Sequence, residues 1–80
     1  MILSEQIKAA RSLLDWDQKE LATRADVGLT TVKRLEARPG VIGGTIDTVL
    51  RLKNALEAAG VEFIGDPGEG PGVRLWKTGR

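Results

Sequence analysis

Apolar residues recur at helical spacing from the start of the chain to Ala59. Four segments carry this pattern and predict helices at about 5–14, 18–25, 29–37 and 46–59. Beyond Gly60, branched and aromatic residues cluster in two short runs, 61–64 and 73–77, separated by a loop rich in Gly and Pro at 65–72. These runs predict a β-hairpin at 61–77. The expected fold is a mainly α single domain spanning 1–80, with four helices and a C-terminal hairpin.

Polar and small residues mark where the helices begin. Ser4 and Thr45 are expected to cap the first and fourth helices through their hydroxyl groups. Asp17, followed three residues later by Glu20, predicts a capping box for the second helix, and Gly28 precedes the third. The helical spacing assigns a set of apolar side chains to the core: Ile7, Ala10, Leu13, Leu14, Leu21, Ala22, Ala25, Val32, Leu35, Ile46, Val49, Leu50, Leu52 and Leu56.

The composition argues against several classes of protein. The chain has no Cys, His or Tyr, so the common general bases and thiolate ligands are missing, and we expect no enzyme activity, metal site or cofactor. No apolar run is long enough to cross a bilayer, and residues 1–6 lack the layout of a signal peptide, so a cytoplasmic protein without a membrane partner is expected.

The net charge is only +1, but basic residues gather in two zones. One zone lies at 27–38 and contains Lys33, Arg34 and Arg38, while the other lies at 73–80 and contains Arg74, Lys77 and Arg80. Such clusters are typical of either ordinary solvated surface or a phosphate-binding face.

The segment from 18 to 37 has the residue pattern of a helix-turn-helix. It resembles that of the phage-repressor and Cro-type family, also called the XRE family, through Gln18, Leu21, Ala22, Ala25, Val27, Thr31, Val32, Leu35 and Glu36. The similarity covers about residues 4–59, and it implies a repressor-like four-helix domain. Family members commonly have Gly where this chain has Asp26, and a small polar cap where it has Gly28. A hairpin stands in place of the family's fifth helix, which leaves the usual dimer surface in doubt.

The resemblance implies a sequence-specific regulator of transcription, most simply a repressor, that binds double-stranded DNA. The third helix would enter the major groove, and the start of the second would contact phosphate. The implied DNA-binding residues are Gln18 toward the backbone, Leu29, Thr30 and Thr31 toward bases or thymine methyl groups, and Lys33, Arg34 and Arg38 toward bases or phosphates. Arg34 suits guanine, whereas Leu29 has the alternative role of closing the turn.

Two further expectations concern partners within and outside the chain. The resemblance implies that Arg11 pairs with Glu36 and fixes the third helix on its scaffold. A thin core and an open-edged hairpin favour a homodimer formed through the hairpin, in which Trp76 covers either the core or the interface. The alternative is a protein-interaction module, such as an antitoxin-like or adaptor domain with a protein partner, and this alternative fits the near-neutral charge.

Overall fold

The chain folds into four helices followed by a two-stranded antiparallel hairpin. The structure is a computed structural model that describes residues 1–76. The elements are α1 (Ser4–Leu14), α2 (Gln18–Ala25), α3 (Leu29–Ala37), α4 (Ile46–Ala58), β1 (Val61–Ile64) and β2 (Gly72–Leu75). The predicted mainly α architecture is therefore confirmed. The expected second strand began one residue later than β2, and its last residue, Lys77, lies outside the described residues together with Arg80 of the second basic zone.

A single apolar cluster holds the four helices and β1 together. Ile7, Leu21, Leu52, Leu56 and Val61 are almost completely buried in this cluster. The helices contribute the first four of these at the predicted spacing and β1 contributes Val61, so burial of these side chains supplies the main driving force for packing. Each would cost about 2–5 kcal/mol on truncation to Ala if the site could not collapse.

Three side chains that the helical pattern assigned to the core are exposed. Leu13 at the end of α1 is 45% exposed, and Leu50 and Ile46 of α4 are 47% and 80% exposed. The prediction was wrong for these residues because helical spacing shows which side chains share a stripe, but not how much of that stripe a neighbouring element covers.

The first helix begins differently from the sequence-based expectation. Leu3, not Ser4, is its N-terminal cap, and the side chain of Gln6 accepts a hydrogen bond from the Leu3 backbone N–H at 2.8 Å. Ser4 is the first helical residue and is fully buried, and its hydroxyl donates to the carbonyl oxygen of Arg38 at 2.7 Å. The hydroxyl therefore serves a tertiary contact with the end of α3, and the cap prediction was wrong.

The second helix has half of the expected capping box. The Asp17 carboxylate accepts a hydrogen bond from the Glu20 backbone N–H at 2.7 Å. The Glu20 side chain does not return a bond to Asp17 and instead pairs with Arg24, with 2.6 Å between Nε and Oε2. Thr45 caps α4 as predicted by accepting from the Thr48 N–H at 3.2 Å.

Replacing Asp17 with Ala is expected to lower the free energy of unfolding by about 1 kcal/mol, because one N–H at the start of α2 loses its acceptor. Glu20→Ala removes only an exposed i,i+4 ion pair and should change this free energy by at most about 0.5 kcal/mol. Urea denaturation of the two variants measures both values. Equal losses would show that the Asp17 cap stabilises the fold no more than the exposed Glu20–Arg24 ion pair does.

The hairpin is fastened to the helices within the same chain. Its strands pair Val61 with Leu75 and Ile64 with Gly72, and β2 packs against α1. The buried side chain of Gln6 donates to the carbonyl oxygen of Gly72 at 2.9 Å, which ties α1 to the sheet. Gly65 begins the connecting loop with φ +74°, where an added Cβ would lie 2.7 Å from a backbone oxygen, so the loop requires glycine there.

Candidate nucleic-acid interface

The second and third helices are joined by a tight turn whose backbone is set by Asp26. Asp26 adopts the left-handed conformation with φ 56°, and the Val27 N–H donates to the Ala22 carbonyl at 3.0 Å. Gly28 then caps α3 in an extended conformation. Asp therefore takes a left-handed position of the kind that Gly adopts most readily and Asp tolerates. The turn sets α3 against α2 while Ala22 and Ala25 remain buried between the helices and the core.

A buried network of charged and polar side chains joins α1, α2 and α3 on the inner side of α3. The Arg11 guanidinium donates twice to the Glu36 carboxylate, at 2.8 Å from Nε and 2.7 Å from Nη2. A third bond joins Arg11 Nη1 to the Trp16 carbonyl at 3.0 Å. The Glu36 side chain is only 4% exposed and that of Arg11 18%. The pairing implied by the resemblance is thus present in the structure.

The Glu36 carboxylate raises the pKa of Arg11 above its ordinary value, through the hydrogen bonds first and through its negative charge as well. A raised pKa means that the charged guanidinium is stabilised in the folded state, and this contribution is fully present at every pH below the ordinary arginine value. A bidentate arginine–carboxylate pair fixes both position and orientation. The network consequently holds α3 at one angle to α1.

Gln18 belongs to the same network. Its side-chain amide donates to Glu36 Oε1 at 3.0 Å, so the first residue of α2 is joined to the end of α3. The amide group has a second hydrogen that can donate to a phosphate oxygen. The exposed carboxylate of Asp17 stands beside it at the start of the helix and would oppose a phosphate there. A contact from Gln18 to the phosphate backbone of DNA stays a prediction.

The outer face of α3 presents polar and basic side chains to solvent. Thr30, Lys33 and Arg34 are exposed, and Thr31 is half-buried. Leu29 is 36% exposed and lines a cleft across the turn with Lys19 of α2. Thr30, Lys33 and Arg34 lie at helical spacing on one side of the helix. Arg38 follows immediately as the C-terminal cap, and its side chain is exposed.

The basic side chains of the described residues divide into paired and unpaired groups. Arg11, Arg24, Arg51, Lys53 and Arg74 each form an ion pair with a carboxylate. Within residues 1–76, no ion pair or hydrogen bond engages the side chains of Lys8, Lys19, Lys33, Arg34 and Arg38. Apart from Lys8, these unpaired cations lie on α2, on α3 or at the end of α3. The sequence analysis missed Lys19 because its position beside α3 follows only from the packing of α2 against α3.

The loop after α3 is held by the start of α1. The Ser4 N–H donates to the Gly40 carbonyl at 2.9 Å, and the Ile42 N–H donates to the Ile2 carbonyl at 3.0 Å. The Glu5 carboxylate accepts from the Gly40 N–H at 3.1 Å. Its pKa is lowered chiefly by its own backbone N–H and next by that of Gly40. These bonds fix the backbone that carries Arg38.

The comparisons with other proteins add no family assignment. Neither models of known protein families nor curated protein sequences gave a match to this chain. Within residues 1–76, no helix is both long and apolar enough to cross a membrane, and no cluster of acidic side chains is suited to holding a metal ion.

Proposed function

We propose that the chain binds double-stranded DNA by placing the outer face of α3 in the major groove, and that it acts as a regulator of transcription, most simply a repressor. The observation that carries the proposal is the concentration of unpaired cations around α3. Lys19, Lys33, Arg34 and Arg38 are all solvent-accessible there, while the basic residues of α4 and the hairpin within residues 1–76 are paired with carboxylates. Unpaired cations are available to neutralise phosphates.

The fixed position of α3 against the other helices supports the same proposal. A helix that reads base edges must hold its position, because side-chain hydrogen bonds to bases tolerate little displacement. The Arg11–Glu36 pair, with Gln18, fixes α3 from its buried side and leaves Thr30 and Arg34 on the open side. Phosphate contacts from Lys33 and Arg38 would set the register, and Arg34 would read guanine through its planar fork.

The proposal predicts a steep dependence of DNA affinity on salt. If a dimer neutralises about six phosphates or more, affinity should fall about a thousandfold between 50 and 200 mM salt. Fluorescence anisotropy with labelled duplexes selected from a random pool measures this slope, and the selected sequences report any two-fold symmetry of the site. Absent binding, or a flat response to salt, would contradict the proposal.

Two lysine variants test which surface of the chain produces the dependence of DNA affinity on salt. Lys33→Ala should reduce the slope by about one for each chain bound, whereas Lys53→Ala should leave it unchanged because Lys53 lies on α4 and faces Glu57. Equal effects from both variants would show that binding does not involve α3 specifically.

The alternative function is a protein-interaction module of the antitoxin-like or adaptor kind. An exposed apolar groove formed by α4 and the chain start favours it, since such grooves mark interaction surfaces. A protein that forms complexes but gives no salt-dependent duplex binding would fit this alternative. The two functions are compatible within one chain.

A further inference from the structure

A cleft lies between the C-terminal end of α3 and the loop that follows it. Its volume is about 470 Å³, and Arg34 and Arg38 both line it. This size falls in the range of roughly 300–1,000 Å³ that is typical of sites for small molecules. The apolar residues Leu35, Pro39 and Val41 form another part of the wall. The recess, called here the arginine cleft, therefore combines two cations with an apolar surface.

Among the described residues, no acidic side chain lines the arginine cleft. Neither of its two guanidinium groups forms an ion pair or a hydrogen bond within residues 1–76. Glu5 contacts the neighbouring loop, but its carboxylate accepts from the Gly40 N–H at 3.1 Å and does not line the cleft. Glu36 of the same helix is paired with Arg11 on the inner side. Two arginines without acidic partners in one recess favour a ligand that carries about two negative charges.

The loop adds backbone donors to the arginine cleft. Gly43 and Gly44 line it, and their N–H groups form no hydrogen bond within residues 1–76. The residue before them is held in place, because the Ile42 N–H donates to the Ile2 carbonyl at 3.0 Å. Gly44 has φ +97°, and an added Cβ would lie 3.3 Å from a methyl group of Leu35, so glycine allows the loop to approach α3. Free backbone N–H groups and guanidinium groups both donate well to an oxyanion.

We propose that the arginine cleft binds the phosphate group of a small organic phosphate, and that this ligand competes with DNA. Arg34 and Arg38 donate to the phosphate oxygens, and the apolar wall contacts the organic part of the ligand. A phosphate monoester fits this site because it carries nearly two negative charges at neutral pH, whereas each phosphate of a duplex carries one. The competition rests on the proposed function, since the guanidinium of Arg34 cannot read guanine while it binds the ligand.

Phenyl phosphate is a suitable probe because it joins a phosphate monoester to one apolar ring. Its titration into the whole chain without DNA is followed by heteronuclear NMR of the backbone amides. The Gly43 and Gly44 signals should shift saturably, with a Kd of about 1 mM or lower. Arg38→Ala should weaken binding by about tenfold or more, because charge-assisted hydrogen bonds are lost. Arg74→Ala is the matched control, since it removes the same charge outside the cleft and should leave the Kd unchanged.

Three outcomes would overturn the site. The first is the absence of saturable shifts at about 10 mM phenyl phosphate. The second is equal weakening by Arg38→Ala and Arg74→Ala, which would indicate a general attraction of anions to positive charge. The third is a chain in which phenyl phosphate does not bind, but Arg38→Ala reduces the dependence of duplex affinity on salt. In that case the cleft would hold a phosphate of the DNA backbone and not a small ligand.

Fluorescence anisotropy with the selected duplex tests the competition. At a phenyl phosphate concentration about ten times its Kd, the apparent duplex affinity should fall about tenfold relative to sodium chloride of equal ionic strength. The fall should be much smaller for Arg38→Ala, compared with the affinity of that variant without ligand. An unchanged duplex affinity would overturn the competition. A chain that binds phenyl phosphate in the cleft but binds no duplex would overturn the proposed function and keep the site, so the two failures are distinguishable.

Discussion

Replacing Glu36 with Ala is expected to lower the free energy of unfolding by about 2 to 4 kcal/mol. The substitution leaves the Arg11 guanidinium, whose side chain is only 18% exposed, without its carboxylate partner. It also removes the acceptor of the Gln18 amide. Three N–H donors, two on Arg11 and one on Gln18, thus lose a charged acceptor at a buried position, and the desolvation of Arg11 is no longer offset. Chemical denaturation followed by circular dichroism measures the loss.

Two controls separate this loss from the effect of removing any glutamate. Glu57→Ala breaks an exposed pair with Lys53 at 3.9 Å and should cost at most about 0.5 kcal/mol. The double variant of Arg11 and Glu36 should show a coupling of about 1 to 3 kcal/mol relative to the two single variants. A loss from Glu36→Ala no larger than that from Glu57→Ala would mean that the network does not hold α3.

Replacing Arg34 with Ala is expected to weaken DNA binding by about 1 to 3 kcal/mol and to relax the preference at one base pair of the site. The reason is the position of Arg34 on the open face of α3, without an acidic partner among residues 1–76. An arginine that reads guanine donates two hydrogen bonds to one base edge, and alanine offers none. Anisotropy titrations against the selected site and its single-base variants measure both effects.

Arg74→Ala is the matched control for Arg34→Ala, because it removes the same charge from an arginine paired with Glu62 on the hairpin. It should leave base preference unchanged and lower affinity only slightly through the net charge. If Arg34→Ala weakened binding to every sequence alike, Arg34 would contact phosphate rather than a base. If it had no effect on any duplex, Arg34 would lie outside the interface.

The sequence determined those parts of the fold that depend on local interactions. The bounds of α2 and α3 follow from the Asp17 cap, the left-handed Asp26 and the Gly28 cap, each of which acts within a few residues of itself. The Arg11–Glu36 pair was also anticipated, through a resemblance rather than through local chemistry. The DNA-binding role inferred from the same resemblance is a proposal that the experiments above test.

The tertiary structure alone decided which surfaces are covered and which cations are paired. Periodicity placed Ile46 and Leu50 in the core, but the packing of residues 1–76 leaves Ile46 80% and Leu50 47% exposed, so an apolar groove is left open. The sequence predicted that Ser4 caps a helix. Its hydroxyl instead donates to the carbonyl oxygen of Arg38, which is distant in sequence. A pattern along the chain reflects the conformational preferences of residues that are neighbours in sequence. Burial and ion pairing depend on residues that meet only after the helices have packed.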